Sequence, residues 1–191
     1  MRDIIKQNLV EQIILLQMIQ NSDYIEQIQM AADCMWETIC SGNKILIAGN
    51  GGSAADAQHM AAELVVRFEK ERQGLPAMAL TTDSSILSAG GNDYGFAAVY
   101  ERQVQALGFP GDVLVAISTS GNSENIIRAI RTAHQKEMKV IGLTGKDGGI
   151  MKSLCDICLH VPHERTARIQ EVHEHTIHTI CQLLEGKSVS N

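Results

Sequence analysis

Residues 44–64 read KILIAGNGGSAADAQHMAAEL, and this stretch decides the fold. Lys44 to Ala48 is a short apolar run of the kind that forms a buried strand. Gly49-Asn50-Gly51-Gly52-Ser53 follows as a loop of small residues, and from Ser53 to about Glu69 the composition turns helical. A buried strand that passes through a glycine-rich loop into a helix is the unit from which open parallel sheets are built. Ligands of such sheets bind beyond the carboxyl ends of the strands, so the search for chemistry starts at this loop.

Outward from there the pattern recurs. Apolar runs near residues 77–80, 113–118, 139–144 and 157–161 read as four more strands, separated by helical and turn-forming stretches. A helix, a loop with Gly90-Gly91-Asn92-Asp93 and a second helix near Phe96 to Leu107 are expected between the second and third strands. Upstream, Ile4, Ile5, Leu9, Ile13, Leu16 and Ile19 recur at helical spacing over residues 3–20. Asn21-Ser22-Asp23 breaks that helix and can cap the next, which runs to about Cys40. The chain ends in a long helix, roughly Thr166 to Glu185. The expectation is an α/β fold in one domain over residues 1–191: a helical hairpin at 1–41, then a core at 42–191 with a five-stranded parallel sheet and helices on both faces. The hairpin either packs on the core or forms a subunit interface, and periodicity does not choose.

With 191 residues, 45% hydrophobic and 20% charged, the chain can bury a substantial core without covalent staples. A formal charge of -6 gives no long-range attraction to nucleic acid or to an anionic membrane. The start, MRDIIKQNLVEQ, lacks a signal-peptide pattern and no apolar run reaches membrane-spanning length, so a cytoplasmic chain is expected. The five cysteines, Cys34, Cys40, Cys155, Cys158 and Cys181, are expected to be mostly buried free thiols. Cys155 and Cys158 have CxxC spacing, but no second pair accompanies them and a structural zinc is not expected there.

Two loops and two helices carry candidate chemistry. In the glycine loop, Ser53 can cap the following helix, whose free amides suit an anion or sugar oxygens; an ordinary tight turn has the same composition. The glycine spacing matches neither a Walker loop nor a dinucleotide fingerprint. Ser118-Thr119-Ser120-Gly121-Asn122-Ser123 places four hydroxyls between the clearest strand and the next helix, an arrangement that can hold a phosphate without a large positive charge. His59 and Glu63 stand one turn apart on one helix face, and both are good zinc ligands. The last helix carries Gln170, Glu171, His173, Glu174, His175 and His178 among apolar positions. Glu171 and His175 are four apart, as are Glu174 and His178, while Gln170 and His178 fall roughly on one side. Solvated pairs on an exposed face have the same spacing, and periodicity leaves open which histidine points inward.

Taken together, GNGGSAADAQHMAAEL, GGNDYGF, ISTSGNS, LTGKDGG and TARIQEVHEHTIH resemble the bacterial phosphoheptose isomerases, in order and spacing over nearly the whole chain. These belong to the sugar isomerase (SIS) domain group, so the resemblance implies a SIS-type fold. It also implies conversion of sedoheptulose 7-phosphate to D-glycero-D-manno-heptose 7-phosphate, a precursor for lipopolysaccharide or other surface polysaccharide. Further implied are one zinc per subunit and a homotetramer with active sites at subunit interfaces.

Carried onto this chain, the resemblance puts the metal on His59, Glu63, Gln170 and His178. Substrate contacts fall on Asn50, Gly51, Gly52, Glu63, Asn92, Asp93, Ser118, Thr119, Ser120, Ser123 and Gln170. Glu63 takes the role of general base and His178 that of general acid. Ala167 stands where some members carry an aspartate. The replication-initiator-associating proteins also resemble this sequence, but they look like isomerases that have lost the metal and acid–base residues. This chain keeps Glu63, His178 and both unbroken loops, which favours the enzyme.

Overall fold

The computed structural model describes residues 2–189; Met1, Ser190 and Asn191, the ends of the expected single domain, lie outside them. Five strands form one parallel sheet: β1 (Ile45–Gly49), β2 (Ala77–Ala79), β3 (Val113–Ser118), β4 (Lys139–Gly145) and β5 (Ile157–Val161). Their order is β2-β1-β3-β4-β5, with the pairings Ile45↔Ala77, Ile45↔Val113, Val113↔Lys139 and Ile141↔Ile157 setting the register.

The helices are α1 (Arg2–Gln20), α2 (Tyr24–Cys40), α3 (Gly52–Val65), α4 (Ser84–Tyr94), α5 (Val99–Leu107), α6 (Glu124–Gln135), α7 (Met151–Leu154) and α8 (Thr166–Val189). A 3-10 turn at Phe96–Ala98 joins α4 to α5.

Alternation along each strand splits the core into two layers. Ile45, Ile47, Val113, Val115, Ile117, Ile141 and Leu143 face α2, α3 and α8. Leu46, Ala48, Leu114, Ala116 and Val140 face α5, α6 and α7. Because both faces are covered, β1 and β3 are buried at every residue, whereas the edge strand β5 alternates.

The hairpin question is answered unevenly. Helix α2 packs on α8, where the Tyr24 hydroxyl meets Thr176 Oγ1 at 3.0 Å. Helix α1 buries only Leu15 and Ile19, and it leaves Ile4, Ile5, Leu9, Val10, Ile13 and Ile14 each more than half exposed.

Three sequence expectations need correction. Gly90-Gly91-Asn92-Asp93 is not a loop but the end of α4. Two glycines weaken a helix by about 1 kcal/mol each without forbidding it. Asp83 starts α4 by accepting from Ile86 N–H at 2.9 Å, and the turn comes at Gly95, whose φ is 80°.

Helix α3 stops at Val65 rather than near Glu69, because Arg72 takes its last carbonyls: Nη2 donates to Glu63 O at 2.7 Å and Nη1 to Leu64 O at 2.8 Å. The cysteines are all free thiols, as expected, but only Cys181 is fully buried, and Cys40 is exposed.

Candidate active site

Three glycines shape the β1–α3 loop, one by its backbone angle and two by close contacts. Gly51 sits at φ 55° and precedes the helix as its N-cap, so Ser53 does not cap it but is buried in the first turn. A Cβ on Gly49 would strike Ser53, and one on Gly52 would strike the carboxamide of Gln170 on α8. The loop is held from two sides. Tyr100 on α5 donates its hydroxyl to Gly49 O at 2.5 Å. Asn50 and Asn125 exchange amide hydrogen bonds of 2.9 and 2.8 Å, tying this loop to the first turn of α6.

The β3–α6 loop presents its hydroxyls as a cluster. Ser118 Oγ lies 3.0 Å from Ser123 Oγ and 3.4 Å from Ser120 Oγ, and the Asn122 N–H donates to Ser120 Oγ at 3.2 Å. Ser123 precedes α6 but does not cap it, because its hydroxyl turns to Ser118 instead. Thr119 and Ser120 are half-buried. The β4–α7 loop supports this one from behind. Met151 N–H donates to Gly121 O at 3.0 Å, Ile150 N–H to Asn122 Oδ1 at 3.0 Å, and a Cβ on Gly121 would collide with Gly148 O. The LTGKDGG motif therefore buttresses the hydroxyl loop.

The helices bring together residues far apart in the chain. His59 Nε2 lies 2.8 Å from His178 Nε2 and 3.7 Å from Glu63 Oε1. Glu174, noted on the last helix but given no role there, joins them: its Oε1 is 3.3 Å from His59 Nε2 and 3.5 Å from His178 Nε2. Its i, i+4 spacing to His178 was the signal for it. Among the described residues, His59, Glu174 and His178 form a group that could hold a metal ion. The Phe68 ring packs beside His178, with centroids 5.6 Å apart.

Gln170 is held just outside this group, with Nε2 donating to Asp56 Oδ1 at 3.1 Å. Burial is the main cause that raises the Asp56 carboxyl to about 6, opposed by the Gln170 hydrogen bond and reinforced by the nearby Glu174 charge. Asp56, Ala167, Gln170, Glu171 and Glu174 line an open cavity of about 470 Å³. The cavity carries no carboxylate at position 167, but has Asp56 and Glu174.

The other histidines of α8 separate cleanly. His173 is fully buried with Nε2 3.2 Å from Thr144 O, and desolvation lowers it to about 4. His175 is exposed. Asn92 and Asp93 sit on the exposed last turn of α4, bonded to each other at 2.7 Å. The described hydrogen bonds do not tie their side chains to either loop.

The SIS domain family profile matches residues 11–145. The phosphoheptose isomerase of Aliarcobacter butzleri is 53% identical over 184 residues, covering 96% of each chain. The chain belongs to the phosphoheptose isomerase family. Solved members of that family superpose closely on it. The phosphoheptose isomerase of Neisseria gonorrhoeae gives a TM-score of 0.92 at 47% identity, covering 97% of this chain and 98% of that one. The phosphoheptose isomerase of Francisella tularensis gives 0.93 at 41% identity, covering 96% and 97%. The NanR protein of Vibrio vulnificus, at 14% identity and a TM-score of 0.65, shares the fold alone.

Proposed function

We propose that this chain interconverts sedoheptulose 7-phosphate and D-glycero-D-manno-heptose 7-phosphate, supplying heptose for lipopolysaccharide or other surface polysaccharide. The observation that carries the reading is the meeting of His59 and Glu63 on α3 with His178 on α8, next to two loops suited to a sugar phosphate. The near-full-length family match supports the same substrate.

Moving the carbonyl from C2 to C1 requires a proton to leave C1 and one to arrive at C2, through an enediol or enediolate. Glu63, with its side chain 20% exposed, is sheltered yet reachable and can accept the carbon-bound proton. His178 can deliver or relay a proton on the other side of the reacting pair. The hydroxyls of Ser118, Thr119, Ser120 and Ser123 hold the phosphate at the start of α6, and their clustering supports that role. Asn50, Gly51 and Gly52 contact the sugar chain from the opposite loop, and Gln170 does so from α8.

The donors also suit zinc: the imidazoles of His59 and His178 and the Glu174 carboxylate lie within 4.8 Å of one another. The resemblance assigns it to His59, Glu63, Gln170 and His178. When bound, the metal would polarise the carbonyl and stabilise charge on its oxygen.

The homotetramer is part of the same proposal. The unpartnered apolar stripe of α1 supports an interface there.

The test is turnover followed by nuclear magnetic resonance. The protein should convert sedoheptulose 7-phosphate to an aldose and leave unphosphorylated sedoheptulose untouched. No conversion of the phosphate ester, with or without added zinc, rules the proposal out.

A further inference from the structure

We propose that Asn125 is a positioning residue for the isomerisation: through its paired amide bonds to Asn50 it holds the glycine loop in a fixed place relative to the hydroxyl cluster. This rests on the reading above that the substrate is a heptulose phosphate lying across the two loops. Asn50 Nδ2 donates to Asn125 Oδ1 at 2.9 Å, and Asn125 Nδ2 donates back to Asn50 Oδ1 at 2.8 Å. Turning either amide over alone would set oxygen against oxygen and nitrogen against nitrogen. The two side chains are therefore locked in orientation to one another.

The loop needs such a hold. From Gly49 to Gly52, Asn50 alone carries a side chain. Glycine leaves the backbone many conformations to choose from, so sterics do not set where this run lies. The Tyr100 hydroxyl fixes Gly49 O at the end of β1, and the Asn125 amide fixes the residue that follows.

Asn125 is placed to give that hold. It is the second residue of α6, just beyond Ser123 of the hydroxyl cluster. Its helix is firmly seated, with Ile126, Ile127 and Ile130 all buried. Strands β1 and β3 are neighbours, with Gly49 opposite Ile117, so the amide pair joins the loops across adjacent strand ends. Asn125 is only 4% exposed and has little surface left for a ligand. Asn50 is half-buried. An amide offers two N–H donors and two oxygen lone pairs, and the pairing uses one of each, which leaves Asn50 the others for sugar oxygens. Asn50 is the contact and Asn125 its support.

The test uses the full-length protein with zinc added, and follows turnover of sedoheptulose 7-phosphate by N125A, by N50A and by the variant carrying both. Enzyme concentrations are chosen to resolve a loss of about 10⁴-fold. N125A should lower kcat/KM about 10–100-fold, the scale of a displacement of up to about 1 Å in a reacting array. Added to N50A, the same substitution should lower it by less than about threefold, because a support has no effect once the residue it supports is gone. A merely structural residue lowers turnover equally in both backgrounds. N125L keeps most of the side-chain volume without its polar atoms and should match N125A, and thermal melting checks that each variant is folded.

Equal losses in both backgrounds overturn the proposal, as does near-normal turnover in N125A or in N50A. A loss in N50A too large to resolve also overturns it, by placing Asn50 in the chemistry itself. If neither N125A nor N125L folds, Asn125 belongs to the core and the proposal falls. Each of these outcomes leaves the isomerase reading standing. No turnover by the unsubstituted protein overturns that reading, and this proposal with it.

Discussion

His59 and His178, 119 residues apart in the chain, turn their Nε2 atoms toward each other at 2.8 Å. At that distance one ring nitrogen carries a proton and donates it to the other. The contact fixes how α8 is rotated against α3, and with it the position of Glu63 beside His59. The consequences can be measured one group at a time.

Gly52 is the point where the glycine loop and α8 touch, since a Cβ there runs into Gln170. In G52A the Gln170 side chain must move, while alanine suits the first turn of α3. Turnover should fall about 10²-fold, the scale of a displacement near 1 Å in a reacting array, with little change in melting temperature. Unchanged turnover would mean that Gln170 is not positioned by this contact.

Ser120 shares the hydroxyl cluster with Ser118 and Ser123. Hydrogen bonds to a charged phosphate contribute about 1.5–3 kcal/mol. S120L should therefore raise KM for sedoheptulose 7-phosphate at least about tenfold, with a smaller effect on kcat. A normal KM would place the phosphate elsewhere.

Glu185 anchors the segment after α3. Its carboxylate accepts from the backbone N–H of Phe68 at 3.0 Å, of Glu69 at 2.9 Å and of Lys70 at 2.9 Å, and it lies 3.7 Å from Arg72 Nε. Desolvation pushes its pKa up, but these hydrogen bonds and Arg72 outweigh burial and hold it below 4.5. A depressed folded value means that the stabilisation is present above about pH 4.5 and is lost as pH falls through the folded value. E185Q should cost about 2–3 kcal/mol at neutral pH, roughly 4–12 °C in melting temperature. The gap to the unsubstituted protein should close in acid, and a gap that is constant with pH would exclude the charge as its cause.

The fold was legible because buried parallel strands announce themselves. All five observed strands fall within a residue or two of the apolar runs, and His59 and Glu63 share the expected face. Spacing alone cannot say which face of a helix turns inward, so the choice among His173, His175 and His178 was open. Tertiary packing makes it: Ile169, Val172 and Ile177 are buried, and Tyr24 bonds Thr176, which sends His173 into the core and His178 toward α3. The same limit hid Glu174 and Asp56, whose roles depend on a helix more than a hundred residues away. The stop of α3 at Val65 was invisible because Arg72 and Glu185 impose it from outside the helix.

The exposed stripe of α1 bears on assembly. Leu9 is 61% exposed and Ile13 55% exposed in the single chain. Light scattering should give four times the 20.8 kDa chain mass, and replacing both residues with aspartate should dissociate the assembly. A monomeric unsubstituted protein at micromolar concentration would contradict the tetramer.

The central claim is that Glu63 takes the carbon-bound proton of a heptulose phosphate. The most direct measurement is the turnover of sedoheptulose 7-phosphate by E63Q against the unsubstituted protein, at matched metal content determined on the same samples. Glutamine keeps the shape of the side chain and removes the base. The account predicts that kcat falls about 10²–10⁴-fold, with a much smaller change in KM. Near-normal turnover by fully metallated E63Q would contradict it.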